Sequence, residues 1–128
     1  MQFFGKGHYL AGLCLEKLGK TSKARERYRR CVAERRHWLP ELAYYDYLSY
    51  VKLGKPKAAR GALRRLAHTI ERLEQRPHIR RAFLHHLRSL YLDALGHRGD
   101  SEKEARLARR RGWRPSDELQ LKFRFGFS

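Results

Sequence analysis

The sequence predicts an all-α fold of about three stacked helix-turn-helix repeats, followed by a short extended tail. Apolar residues recur at three- and four-residue spacing, and three segments end in the same Leu-Gly pair. Each pair is followed within a few residues by an Ala-containing helical pattern. With 128 residues, of which 41% are hydrophobic, the chain is long and apolar enough for one packed domain.

The Leu-Gly pairs mark the ends of the first helices of the three repeats. Their glycines are Gly19, Gly54 and Gly96, which are separated by 35 and then 42 residues. A glycine after the last apolar position can adopt the left-handed conformation that caps a helix C-terminus. We therefore expect six helices, over residues 4–18, 22–35, 39–53, 56–75, 78–96 and 101–111.

The residues after each glycine suit the start of a second helix. Thr21 or Ser22, and later Asp100 or Ser101, are of the types that cap helix N-termini. Pro56 fits the first turn of a helix, where its missing N–H leaves no hydrogen bond unmade. The third turn contains extra residues, so we expect its second helix to begin late.

The apolar residues of the first helix recur on one face, at Leu10, Leu13, Cys14 and Leu18. Cys14 and Cys31 both stand next to apolar residues within helical patterns. Two cysteines without a C-x-x-C pair are too few for a disulfide framework or a zinc site. We therefore expect both to be buried free thiols.

The last residues have a different pattern. Trp113 and Pro115 stop the helical pattern, and apolar side chains then alternate with polar residues or glycine up to Phe127. A period of two is typical of a strand. We assign residues 1–112 to the repeat domain and 113–128 to a tail, which forms a strand or a cap over the last repeat. Pairing with a second copy, or with the rest of a longer chain, stays open.

The paired helices of each repeat combine small residues, where the helices cross, with bulky residues that fill the gaps between them. In the first repeat the matching residues are Ala11, Gly12, Leu15, Ala24, Tyr28 and Cys31. The second repeat has Tyr47, Tyr50, Ala59, Leu63 and Leu66, and the third has Ser89, Ala105 and Ala108. Over residues 4–112 the chain thus resembles the tetratricopeptide repeat (TPR) family. This resemblance implies a right-handed α-solenoid, in which small residues such as Gly12 and Ala24 let paired helices pack closely.

In tetratricopeptide arrays the first helices line a concave groove that commonly binds a peptide. By position, the resemblance implies that the groove is lined by Lys6, Tyr9, Leu10, Leu13, Lys17, Tyr44, Tyr45, Leu48, Lys52, Phe83, His86, Leu87 and Leu90. It therefore implies a non-catalytic adaptor or scaffold for another protein. The lysines favour an acidic or mixed peptide.

One subclass of the family clamps the carboxylate terminus of chaperones with Lys, Asn and Arg. The corresponding positions of this sequence hold Tyr9, Leu13, Tyr45, Phe83 and Leu87. We therefore expect no binding of that kind.

The charge of the chain suggests an alternative function. Its net charge is +17 and its pI is near 10.7, which raises its affinity for nucleic acid, anionic lipid and acidic proteins. Arginines crowd the second helices, and the candidate contacts are Arg29, Arg30, Arg64, Arg65, Arg109 and Arg110. Aligned on a convex face, they would form a nucleic-acid-binding helical repeat whose affinity falls steeply with salt.

Sequence motifs give no support to catalysis. The seven histidines form no H-E-x-x-H motif, and no phosphate loop, dinucleotide fingerprint or G-x-S-x-G elbow is present. We expect no enzyme activity, cofactor or metal. No apolar run reaches the ~20 residues of a membrane span, and the start lacks the pattern of a signal peptide. A cytoplasmic location is the default expectation, while the oligomeric state, and whether the chain is a module of a longer repeat protein, stay open.

Overall fold

The computed structural model describes residues 5–33 and 40–114. These residues form six helices and contain no strand, which confirms the all-α fold. The helices are α1 (Gly5–Lys17), α2 (Thr21–Ala33), α3 (Leu42–Lys52), α4 (Pro56–Glu74), α5 (Arg81–Ala94) and α6 (Arg98–Arg110). The strand predicted in the tail falls outside the described residues.

The three glycines predicted to end first helices do so. Gly19, Gly54 and Gly96 have φ values of 75°, 72° and 81°. In each case the glycine N–H donates to the carbonyl three residues back, and the next N–H donates to the carbonyl five residues back. This pair of bonds is the Schellman motif, which satisfies carbonyls that the helix end would leave unbonded.

The residue after each of these glycines belongs to both helices of its hairpin. The N–H groups of Lys20, Lys55 and His97 bond back to the first helix, and their carbonyls accept the first hydrogen bond of the second helix. The third hairpin therefore turns as tightly as the others, and α6 begins at Arg98. The late start expected from Asp100 or Ser101 is wrong, because His97 already occupies the N-cap position.

Contacts divide the chain into two compact units, Met1–Leu63 and Arg64–Ser128, and α4 crosses the boundary. The first unit has a core cluster formed by Ala24, Tyr28 and Leu53, with Tyr9, Leu15 and Val32 packed against it. The second has a cluster formed by Ala82, Ala108 and Trp113, with Phe83 against it.

The close approach of α1 and α2 depends on small residues, as the sequence predicts. A Cβ atom on Gly12 would overlap Cε1 of Tyr28 and would lie 2.9 Å from the ring atoms Cδ1 and Cζ. Ala24 is fully buried on the opposing helix. The ring of Tyr28 thus fills the space that Gly12 leaves open.

The apolar face predicted for α1 is not the face that packs. Leu10 and Leu18 are 43% and 70% exposed, and Cys14 is exposed as well, so the prediction that this thiol is buried is wrong. The helix packs instead through the neighbouring arc that contains Gly12, where backbone and aromatic ring meet. Cys31 is a buried thiol that forms no disulfide, as expected.

Candidate functional site

One face of α1 combines two lysines with two leucines. Lys6, Leu10, Leu13 and Lys17 follow one another at spacings of four, three and four residues, which places them on one side of a helix. Leu10 and Lys17 are exposed, and Lys6 and Leu13 are half-buried. Because α1 packs on α2 through the arc of Gly12, this face is left accessible.

A matching face of α3 lies beside it. Tyr45, Leu48 and Lys52 share one side of α3, where the first two are half-buried and the lysine is exposed. The Lys6 ammonium lies 5.7 Å from the centroid of the Tyr45 ring, near the start of both helices. Near their ends, Lys52 Nζ lies 2.9 Å from Glu16 Oε2.

The two helices therefore run side by side in the same direction, and their faces form one surface. We name it the α1/α3 surface, and it consists of Lys6, Leu10, Leu13, Lys17, Tyr45, Leu48 and Lys52. All seven belong to the groove that the family resemblance implies for the first two repeats.

Tyrosine rings support this surface from below. The ring of Tyr9 lies with its centroid 5.8 Å from that of Tyr28 and 6.0 Å from that of Tyr45. Tyr44 meets Tyr45 edge to face at 5.2 Å. Tyr9 remains half-buried, whereas Tyr44, another residue implied for the groove, is only 9% exposed. Tyr44 thus fixes the position of Tyr45 and offers little surface of its own.

Glu16 connects the surface to the interior. Its hydrogen bond with Lys52 and its interaction with the Tyr28 hydroxyl lower the pKa of the Glu16 carboxyl. Burial, and then the nearby Glu16 carboxylate, raise the pKa of Tyr28. The charge of Lys52 is therefore balanced by Glu16, while Lys17 forms no ion pair with any described residue.

The groove residues implied for the third repeat lie on α5, in the second unit. Leu87 is fully buried and Leu90 is half-buried. The rings of Phe83 and His86 pack on Trp113, with centroids 5.5 Å and 4.5 Å from it, and the histidine is stacked. These two rings are thus in contact with Trp113, which is itself 7% exposed.

Trp113, the first residue of the predicted tail, is a buried packing residue. Gly112 has a φ of 99° and caps α6 in the same way as the three other glycines. The N–H of Trp113 donates to the carbonyl of Ala108 at 2.9 Å, and its side chain packs beside that residue. An apolar residue directly after a capping glycine commonly makes this contact, so the signal was present in the sequence.

The arginines proposed as nucleic-acid contacts are all exposed. They lie on α2 (Arg29, Arg30), α4 (Arg64, Arg65) and α6 (Arg109, Arg110). Arg30 also forms an exposed ion pair with Glu26 at 2.8 Å, one helical turn away. The alignment of these side chains into one convex face remains a prediction.

The described residues contain no group of three or more His, Cys, Asp or Glu side chains arranged to hold a metal ion. Among the helices described, none combines the length and the apolar character that crossing a membrane requires.

Residues 8–35 match the family model of the tetratricopeptide repeat. The match includes Gly12, Ala24 and Tyr28, whose packing joins α1 to α2. It confirms the resemblance for the first repeat. No curated protein and no solved structure gives a significant match.

Proposed function

We propose that the chain is a non-catalytic adaptor that binds an acidic or mixed peptide on its α1/α3 surface. Residues 8–35 match the family model of the tetratricopeptide repeat, which is a protein-interaction repeat. The observation that supports this most strongly is the face of α1, where exposed Leu10 and half-buried Leu13 lie between Lys6 and Lys17. Apolar side chains supply contact area, and flanking charges select and orient a partner.

The spacing of the lysines suggests the form of the peptide. They are eleven residues apart, which corresponds to about 16 Å along a helix. An extended peptide rises about 3.3 Å per residue, and only side chains an even number of positions apart share one of its faces. Acidic residues about four or six positions apart would therefore meet both lysines. Apolar residues between them would lie over Leu10 and Leu13.

Tyr45 and Lys52 extend the surface, and we expect them to contribute differently to the binding of an acidic peptide. Tyr45 adds a rigid aromatic ring, which gives contact area at a low cost in conformational entropy. Lys52 is already paired with Glu16, so we expect it to contribute less to an acidic ligand than Lys17 does.

A binding titration tests the proposal. The probe is a labelled peptide with two glutamates about six positions apart, on one face of the extended chain, and leucines between them on the same face. A peptide with lysines in place of the glutamates is its counterpart. We expect the acidic peptide alone to bind, and the double variant Lys6→Glu/Lys17→Glu to weaken it about tenfold or more, since each reversed pair replaces attraction by repulsion.

The matched control is Lys23→Glu/Lys57→Glu. Both lysines are exposed and lie on α2 and α4, and their reversal changes the net charge by the same amount. Equal weakening by the two double variants would mean that net charge governs binding, and the α1/α3 surface would lose its assigned role. Failure of the acidic peptide to bind at all would also count against it.

A further inference from the structure

The second unit has an end where arginines gather. The start of α5 meets the end of α6, because the Arg80 guanidinium donates to the Gly112 carbonyl at 3.2 Å and Ala82 packs with Ala108. Residues 76–82 lead into the start of α5, and residues 105–114 form the end of α6 and its cap. Together these two segments contain eight arginines, no lysine and no acidic residue. We name this the arginine end, and its members are Arg76, Arg80, Arg81, Arg106, Arg109, Arg110, Arg111 and Arg114. All eight are exposed.

The carboxylates closest to the arginine end along the chain have other partners. Glu104 lies 2.6 Å from His85, across the hairpin of α5 and α6. Glu74 pairs with Arg88 at 2.8 Å. The other acidic residues of the hairpin, Asp93, Asp100 and Glu102, lie around the turn at its opposite end. As far as the described residues go, the hairpin is thus polarised, and its positive end keeps an excess of charge.

One guanidinium at this end is held in place. The Cζ atom of Arg80 lies 6.0 Å from the centroid of the Trp113 ring, while one nitrogen donates to Gly112. This cation–π contact and the hydrogen bond restrain the guanidinium, which lowers the entropy lost on binding. In addition, α5 begins here without a side-chain cap and without an acid in its first turn. Its N-terminal amides therefore add to the attraction for anions.

We propose that the arginine end binds the phosphate backbone of a nucleic acid without reading its sequence. Guanidinium groups match phosphate oxygens in bidentate geometry, and a polynucleotide presents a phosphate at every residue. This role is separate from peptide binding at the α1/α3 surface.

Among the described residues, the arginine end has no exposed apolar anchor, and this favours nucleic acid over an acidic protein as the ligand. Protein interfaces generally bury aromatic or apolar anchors. Among the described residues, the exposed large hydrophobic side chains are Leu10, Leu18 and Val51 in the first unit and Leu95 at the turn of the α5–α6 hairpin. Trp113 is at the arginine end but is buried, so it offers no free face to a base or to a peptide. Contacts to phosphate alone give affinity without sequence preference.

The test compares two double variants of the full chain by fluorescence anisotropy, with single-stranded RNA and duplex DNA of mixed sequence as separate probes. Arg109→Gln/Arg110→Gln removes two charges from the arginine end. We expect the slope of log affinity against log salt for duplex DNA to fall by about two, and the affinity at low salt to drop about tenfold or more. Arg109→Lys/Arg110→Lys should keep the salt slope, because it keeps the charges.

The matched control is Arg60→Gln/Arg98→Gln, which removes two exposed arginines that lie outside the arginine end, one on α4 and one at the start of α6. Thermal unfolding followed by circular dichroism checks that all variants are folded. A much smaller effect of the control supports the proposal, and a preference for one probe identifies RNA or DNA as the source of the phosphates. Equal losses in both Gln variants would overturn it, since net charge would then suffice. Competition by polyglutamate as effective as that by the oligonucleotide would overturn it as well, in favour of an acidic polypeptide.

Discussion

Gly12 determines how closely α1 and α2 approach, because the ring of Tyr28 occupies the space where another residue would carry its Cβ. We predict that Gly12→Ala lowers the free energy of unfolding by about 1–3 kcal/mol, the usual cost of overpacking a core. This loss opposes the gain of up to about 1 kcal/mol that alanine brings to a helix interior. Urea unfolding of the variant and the parent chain measures the difference.

Gly61 provides the control for this substitution. It lies within α4, its φ is not positive, and a Cβ atom built on it meets nothing within 4 Å. Gly61→Ala should therefore raise stability by about 0.5–1 kcal/mol through helix propensity alone. If Gly12→Ala gained stability to the same degree, the steric account of the α1–α2 contact would be wrong.

The sequence predicts whether a residue is buried only at positions where the packing accepts a single type of residue. The contact between Gly12 and a large ring follows from the family pattern, which has a small residue on the first helix and an aromatic residue on the second. Cys14 could not be placed in the same way, because the leucine face of α1 and the arc of Gly12 are adjacent, and only the contact with Tyr28 decides which packs. The burial of Tyr44 beside half-buried Tyr45 likewise depends on tertiary contacts.

At the scale of the elements, the helix ends depend on the left-handed glycines. Gly54 has a φ of 72° and open space around its Cβ position, so only backbone conformation restricts the residue there. We predict that Gly54→Ala lowers the free energy of unfolding by about 1–2 kcal/mol, the cost of a left-handed conformation for a residue with a Cβ.

Gly54→Asn distinguishes the cost of the left-handed conformation from the loss that any side chain at this position would cause. Asparagine tolerates the left-handed conformation and also occurs at this cap position, so it should recover part of the lost stability. Thermal unfolding of the three chains side by side measures the order. Equal losses for alanine and asparagine would show that the left-handed geometry of the cap is not what matters.

Six helices could be predicted from the sequence because their stop signals are local. Each Leu-Gly pair needs only its own neighbours to form the Schellman bonds. The prediction for the start of α6 is wrong because its N-cap residue, His97, is not of a type that usually caps helices. The helix begins there because His97 directly follows the capping glycine Gly96 of the preceding helix. Trp113 was assigned to the tail because its role depends on a contact with Ala108 across the turn.

At the scale of the whole molecule, the chain presents two different surfaces on two compact units. The α1/α3 surface mixes leucines, a tyrosine and lysines, whereas the arginine end has charge and no exposed large apolar side chain among the described residues. The net charge of +17 attracts any anionic ligand to both surfaces over a long range. Local substitutions with matched controls are therefore needed to separate binding at one surface from binding at the other. Stacking of all three repeats into one solenoid remains a prediction of the family resemblance.

The most direct test of peptide binding at the α1/α3 surface is an NMR titration of the isotope-labelled chain with the acidic peptide described above. Our account predicts that the amide signals of Lys6, Leu10, Leu13 and Lys17 on α1, together with that of Tyr45 on α3, move or broaden as the peptide is added. Changes centred on the arginine end or on α2, with the signals of α1 unmoved, would contradict it.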